Sequence, residues 1–228
     1  MNQQNEAVAI LLANRHYLYR LFQRIIGVEP QLEVLKVATS EHTKEALELL
    51  FQEEAGLFAK HFQLLEEIGA ALATQPEELL DKLKDEYTYL FIGPNKLPAP
   101  PWESVYLTKE RVLFQESTLN VRRAYLKYSF LPANYPHEAD DHLGLELDFM
   151  AILSQKAEEH FEKDQIEEMK AVLEDQKAFL QEHLLLWIDD FANDIQKSKT
   201  QHFYPLMADL VRHFVKIDAQ CVDEILSL

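Results

Sequence analysis

Cysteine is almost absent. Cys221 is the single one in 228 residues, so no disulfide forms within the chain and a four-thiolate zinc site is excluded. Reduced surroundings, and hence a cytoplasmic location, are the expectation. Glycine is scarce as well, at 5 residues. Gly93 stands alone and Gly144 sits within a helical pattern, so no phosphate-cradling loop is present and nucleotide binding has no motif support; no motif points to a cofactor. No run reaches the ~18 consecutive apolar residues that a bilayer span needs. The apolar stretch Ala7–Ala13 also lacks the basic flank of a secretion signal. Basic residues are outnumbered 22 to 39, a formal net charge of −17 that repels phosphate backbones and anionic lipid. Nucleic acid is therefore not an expected partner. A basic peptide would be attracted, although the same charge also serves plain solubility.

What the chain has in abundance is apolar spacing of three and four residues, with almost no strand signal, and the expected fold class is all-α. One stripe runs through Val8, Leu11, Leu12, Leu18, Phe22 and Ile25, and a second from Leu47 through Phe51, Phe58 and Leu65 to Leu72. A third, from Leu79 to Phe91, begins after Pro76, whose missing N–H is tolerated in a first turn, and stops before Pro94. Residues 93–103 hold four prolines and predict an extended, stiff connection bearing Trp102. Ser104 or Thr108 is positioned to cap a following helix to about Ser129, and 131–137 form a second break. From Asp140 to about Lys163 apolar residues lie on more than one face, which predicts a central, enclosed helix. Two further helical stretches follow, from Ile166 to Phe191 and from Phe203 onward. The expected organisation is a single globular helical domain over 1–228. It is a monomer, or a homodimer that exchanges its C-terminal helices through a hinge at 131–137.

The densest polar constellation is His137-Glu138-Ala139-Asp140-Asp141-His142, with Glu146 one turn on. A helical metal-dependent hydrolase using Asp141, His142 and Glu146 is one reading. The spacing argues against it, since neither the Glu-x-x-His of di-iron bundles nor the His-Glu-x-x-His of zinc proteases is present. The alternative is that Asp140 or Asp141 caps the helix that follows. No Gly-x-Ser-x-Gly elbow and no Cys-His pair in a recognisable context occurs, and Cys221 is expected to be packed.

Three blocks stand out together: Glu-Tyr-Thr-Tyr-Leu-Phe-Ile-Gly-Pro at 86–94, Pro-Ala-Pro-Pro-Trp-Glu-Ser-Val-Tyr at 98–106, and His-Glu-Ala-Asp-Asp-His-Leu-Gly-Leu-Glu-Leu-Asp-Phe-Met at 137–150. In content and spacing they resemble the TorD/DmsD family, and the stretch Phe203–Leu210 is similar to that family's last helix. The resemblance implies an all-α cytoplasmic chaperone without catalysis. Its partner would be the twin-arginine leader on the precursor of a molybdenum-cofactor oxidoreductase of the dimethyl sulfoxide or trimethylamine oxide reductase type, with transient contact to the export machinery. It further implies leader binding by Tyr87, Leu90, Phe91, Pro101, Trp102, Glu138, Asp141 and His142. Two departures stand out: Tyr87 is found where some members carry Trp, and Ala139 replaces the Pro of a Glu-Pro-x-Asp-His signature. An adaptor for another respiratory subunit remains a further reading.

The chemistry of such a leader, a cationic start followed by an apolar stretch, suits these residue types. Glu138 and Asp141 are expected to accept from guanidinium groups, and Leu90, Phe91 and Trp102 to receive aliphatic side chains. Burial of three leucine-sized groups contributes about 5–9 kcal/mol gross. Ordering a floppy peptide offsets several of those, which leaves an affinity on the order of micromolar.

Overall fold

The structure is a computed structural model that describes residues 3–52, 55–94, 96–108, 113, 115–132, 138–200 and 203–228. Among the described residues every regular element is helical, and the sole β feature is one antiparallel bridge pair, Trp102 with His142. None of the helices is long and apolar enough to cross a membrane.

The elements are α1 (Gln3–Ile26), α2 (Leu32–Ala38), α3 (Glu41–Leu50), α4 (Ala55–Thr74), α5 (Pro76–Tyr87), α6 (Glu103–Leu107), α7 (Glu116–Lys127), α8 (Leu143–Glu162), α9 (Ile166–Phe179), α10 (Leu185–Gln196) and α11 (Phe203–Ser227). Two π-helical segments interrupt this order: Thr88–Ile92 prolongs α5, and Leu180–Leu184 joins α9 to α10. Pro76 occupies the first turn of α5 as its spacing predicts. The π segment ends at Gly93, whose φ of 71° favours glycine and whose N–H donates to Thr88 O at 2.7 Å.

The second apolar stripe, read as one helix, is instead divided between α3 and α4. The chain turns at Phe51, and the Phe51 ring stacks on that of Phe58 at 3.9 Å between centroids. The helix expected from Ser104 or Thr108 to Ser129 is likewise two, α6 and α7. Ser104 lies inside α6 and Thr108 just follows it, so neither caps a long helix. Of the break at 131–137, residues 133–137 lie outside the described residues, and with them both the hinge and His137.

α8 runs through the interior and packs chiefly against α1 and α9, with buried residues on several faces. A buried polar network pins these helices to α11. The Arg15 guanidinium of α1 pairs with Asp218 of α11, Tyr19 Oη donates to the same carboxylate at 2.6 Å, and Arg15 Nη2 donates to Gln176 Oε1 of α9 at 3.0 Å. Gln176 Nε2 in turn donates to Ser154 Oγ of α8 at 2.8 Å. Arg15 and Asp218 are both fully buried, so loss of either leaves an uncompensated charge worth about 3–5 kcal/mol of destabilisation. Cys221 is buried nearby, and burial pushes its thiol up to about 12.

Candidate functional site

The proline-rich connection and the start of α8 are fastened to each other by backbone. Leu143 N–H donates to Pro101 O at 2.8 Å and Glu103 N–H to Asp141 O at 3.0 Å, on either side of the Trp102–His142 bridge. The Trp102 and His142 rings meet edge to face at 5.7 Å. Both side chains are half-buried, as is Glu138, whose Oε1 accepts from Trp102 Nε1 at 2.8 Å and from the Ala139 N–H at 3.1 Å. A proline at 139, the residue that the resemblance leads one to expect, has no N–H to give. The substitution therefore adds a donor that fixes the Glu138 carboxylate.

α8 is capped by His142 and not by Asp140 or Asp141, which corrects the expectation from sequence. His142 Nδ1 accepts from Gly144 N–H at 3.0 Å. The two aspartates are drawn elsewhere by partners remote in sequence. Asp141 Oδ2 accepts from Ser104 N–H at 2.8 Å and so serves the start of α6, while Asp140 pairs with Arg122 at 2.6 Å and its carbonyl accepts from Tyr125 Oη at 2.9 Å. Burial lowers the His142 pKa below the ordinary 6.5, against the Glu138 and Asp141 charges, so the ring is neutral at pH 7 with Nδ1 as acceptor and the proton on Nε2.

The other expected leader contacts are less accessible than the resemblance implies. Leu90 is 0% exposed and Phe91 6%, and the latter packs on Tyr204 at 5.7 Å and Phe191 at 6.2 Å. Tyr87 is also buried, 5.1 Å from Phe91, with its hydroxyl donating to Ile26 O at 3.3 Å. Burial first, then the charges of Glu138 and Glu29, push the Tyr87 hydroxyl up to about 12. Pro101 is buried, and Asp141 is 0% exposed. Of the eight, Trp102, Glu138 and His142 are half-buried and the other five are buried. Backbone bonds and the bridge fasten Pro101 and Trp102 to Asp141 and His142, Glu138 joins them through the Trp102 indole, and Tyr87, Leu90 and Phe91 lie on α5 and the π segment that prolongs it. Leu90, Phe91 and Asp141 do not face an incoming peptide in this conformation, because the helix that carries the first two turns them into the core.

Beneath the bridge lies a buried polar group that sequence reasoning found only in part. Glu103 Oε2 and His183 Nδ1 are 2.9 Å apart, and Trp187 Nε1 donates to Glu146 Oε2 at 3.3 Å. Burial, then the Glu103 and Asp141 charges and a hydrogen bond with Glu103, hold the Glu146 carboxyl well above the ordinary carboxylate range. The Oε1 atoms of Glu103 and Glu146 each lack a donor when both groups are charged, and a proton kept on Glu146 supplies one. Glu146 belongs to a quoted sequence block, whereas nothing in the sequence singles out His183, which the second π segment carries. Among the described residues no group of three His, Cys, Asp or Glu side chains is arranged to hold a metal ion. Asp141, His142 and Glu146 instead satisfy the neighbouring backbone and indole. A cavity of about 380 Å³ between α7, α8 and α9, with Arg123, Lys127, Phe149 and Phe179 among its walls, is separate from this cluster save for His183.

Residues 55–193 match a sequence family described as nitrate reductase delta subunit. Among curated relatives, a probable Tat proofreading chaperone DmsD from Haemophilus influenzae is 34% identical over 130 residues, 57% of this chain and 57% of that one. The match thus spans little more than half of that relative. A chaperone protein TorD from Aliivibrio fischeri is 27% identical over 157 residues, 69% of this chain and 71% of that one. Among solved structures, a candidate redox enzyme maturation protein from Archaeoglobus fulgidus gives a TM-score of 0.48 at 23% identity, covering 89% of this chain and 93% of that one.

Proposed function

We propose, from the premise that this chain belongs to the nitrate reductase delta subunit family and to the TorD/DmsD chaperones, that it holds the twin-arginine leader of a molybdenum-cofactor oxidoreductase precursor in the cytoplasm until export. The client would be of the dimethyl sulfoxide or trimethylamine oxide reductase type, and the task is binding without catalysis.

The observation that carries this reading is the Trp102–Glu138–His142 mouth. An aromatic face and a carboxylate are presented side by side, and the carboxylate is held by two donors on one oxygen. Glu138 Oε2 has no hydrogen bond among the described residues and is suited to a guanidinium, while the indole face suits the aliphatic part of an arginine or a following apolar residue. His142 remains neutral near pH 7, which avoids repulsion of a cationic peptide. Tyr87, Leu90, Phe91, Pro101 and Asp141 act as the floor that fixes this mouth, and the apolar part of the leader reaches Leu90 and Phe91 only if the π segment opens. A net charge of −17 favours encounter with a cationic leader.

Calorimetric titration of the full chain with leader peptides of molybdoenzymes tests the proposal. Binding on the order of micromolar is expected. It should be weakened by Trp102→Ala and by replacing both arginines of the peptide with glutamine. Absence of heat with every leader, in conditions where the chain is folded, contradicts it.

A further inference from the structure

A leader with two consecutive arginines presents two guanidinium groups, and among Glu138, Asp140 and Asp141 only Glu138 offers them an accessible carboxylate. Asp141 is fully buried and already accepts from Ser104 N–H, and Asp140 is buried and paired with Arg122. Glu138 has one oxygen taken by Trp102 and Ala139.

We propose that Glu29, on the exposed turn between α1 and α2, is the second acidic arm of this site and the residue that makes it selective for two adjacent cations. This rests on the leader-binding reading above. The placement follows from how the end of α1 meets α8. Gly27 and Gly144 pack backbone to backbone, so closely that a methyl group on Gly144 would fall 2.5 Å from Gly27 Cα. That contact brings the turn after α1 against the start of α8, next to His142. Tyr87 anchors the same turn from the other side through its hydrogen bond to Ile26 O. Glu29 lies three residues beyond Ile26, is exposed, and makes no ion pair or hydrogen bond among the described residues. Consistent with that placement, the charges of Glu138 and Glu29 both help to push the Tyr87 hydroxyl up. Two acids on separate elements can each take one guanidinium of an arginine pair, whereas one acid cannot orient both.

The test is calorimetry on the full chain with a synthetic peptide bearing two consecutive arginines before an apolar stretch, and with two counterparts in which one or the other arginine is glutamine. Wild type, Glu29→Gln and a charge-matched control, Glu162→Gln, are compared. Glu162 is exposed at the far end of α8, roughly 28 Å from its start. Glu29→Gln should weaken the two-arginine peptide by roughly two- to fivefold. The loss should vanish for one of the single-arginine peptides, and Glu162→Gln should match wild type. Equal losses for all three peptides, losses shared by Glu162→Gln, or no loss at all would overturn the role of Glu29 while leaving the leader site standing. Failure of wild type to bind any of the peptides overturns the leader reading and this inference with it.

Discussion

Two acids in the third sequence block have opposite lives. Glu138 is half-buried with an oxygen to spare, whereas Asp141 is sealed and its Oδ2 accepts from the buried Ser104 N–H. Asp141→Ala should therefore destabilise the fold by about 1–3 kcal/mol, the cost of an orphaned buried donor, and Glu138→Gln by less than about 0.5 kcal/mol. Urea unfolding measures both. Equal effects would mean that Asp141 is not the support of α6. Glu146 gives a pH signature. Its carboxyl is held far above the ordinary 4.5, so the unfolded chain releases that proton first as pH rises. Its contribution to stability is full below 4.5 and is lost as pH climbs from there towards the raised folded value. Glu146→Gln cannot ionise, so the variant should gain on wild type by up to about 1.4 kcal/mol per pH unit above 4.5, and parallel pH profiles would contradict the assignment. Sequence spacing marked Glu138–Glu146 as the place to look, yet which acid caps, pairs or faces outward was decided by Ser104, Arg122 and Trp187, partners that no local pattern names.

At the scale of elements, boundaries set by local chemistry were legible. Pro76 opens α5, the stripe ends before Pro94, and α8 is enclosed on several sides. Boundaries set by tertiary contact were not: at the turn after α3 the Phe51 ring stacks on that of Phe58, and Phe91 is internal where Tyr204 and Phe191, a hundred residues or more further on, pack against it. The junction of α1 with α8 depends on the absence of two side chains. Gly144→Ala would place its methyl 2.5 Å from Gly27 Cα and 3.1 Å from the His142 ring, with backbone on one side unable to yield cheaply. The α8 start should shift, the His142 cap should loosen, and thermal unfolding should move down by an amount equivalent to about 1–3 kcal/mol. Leader affinity should fall as well, and unchanged stability would show that the two helices are free to separate.

For the whole molecule, composition and apolar spacing established an acidic helical chain with no internal disulfide, and the three spaced blocks supplied a family resemblance that the family match over 55–193, together with the relatives named DmsD and TorD, bears out. What could not be read from the chain is that, of the eight residues the resemblance names, Trp102, Glu138 and His142 are half-buried while Tyr87, Leu90, Phe91, Pro101 and Asp141 are buried. The central claim is that this one place receives the leader, and amide hydrogen exchange with and without a saturating two-arginine leader peptide tests it most directly. Protection should rise at the amides of 102–103, 138–142, 27–29 and 31, with a smaller change over the π segment 88–92, while the helix amides around the Arg15–Asp218 network between α1 and α11 exchange as before. Protection confined to other surfaces, such as the α7–α9 cavity, would contradict the account.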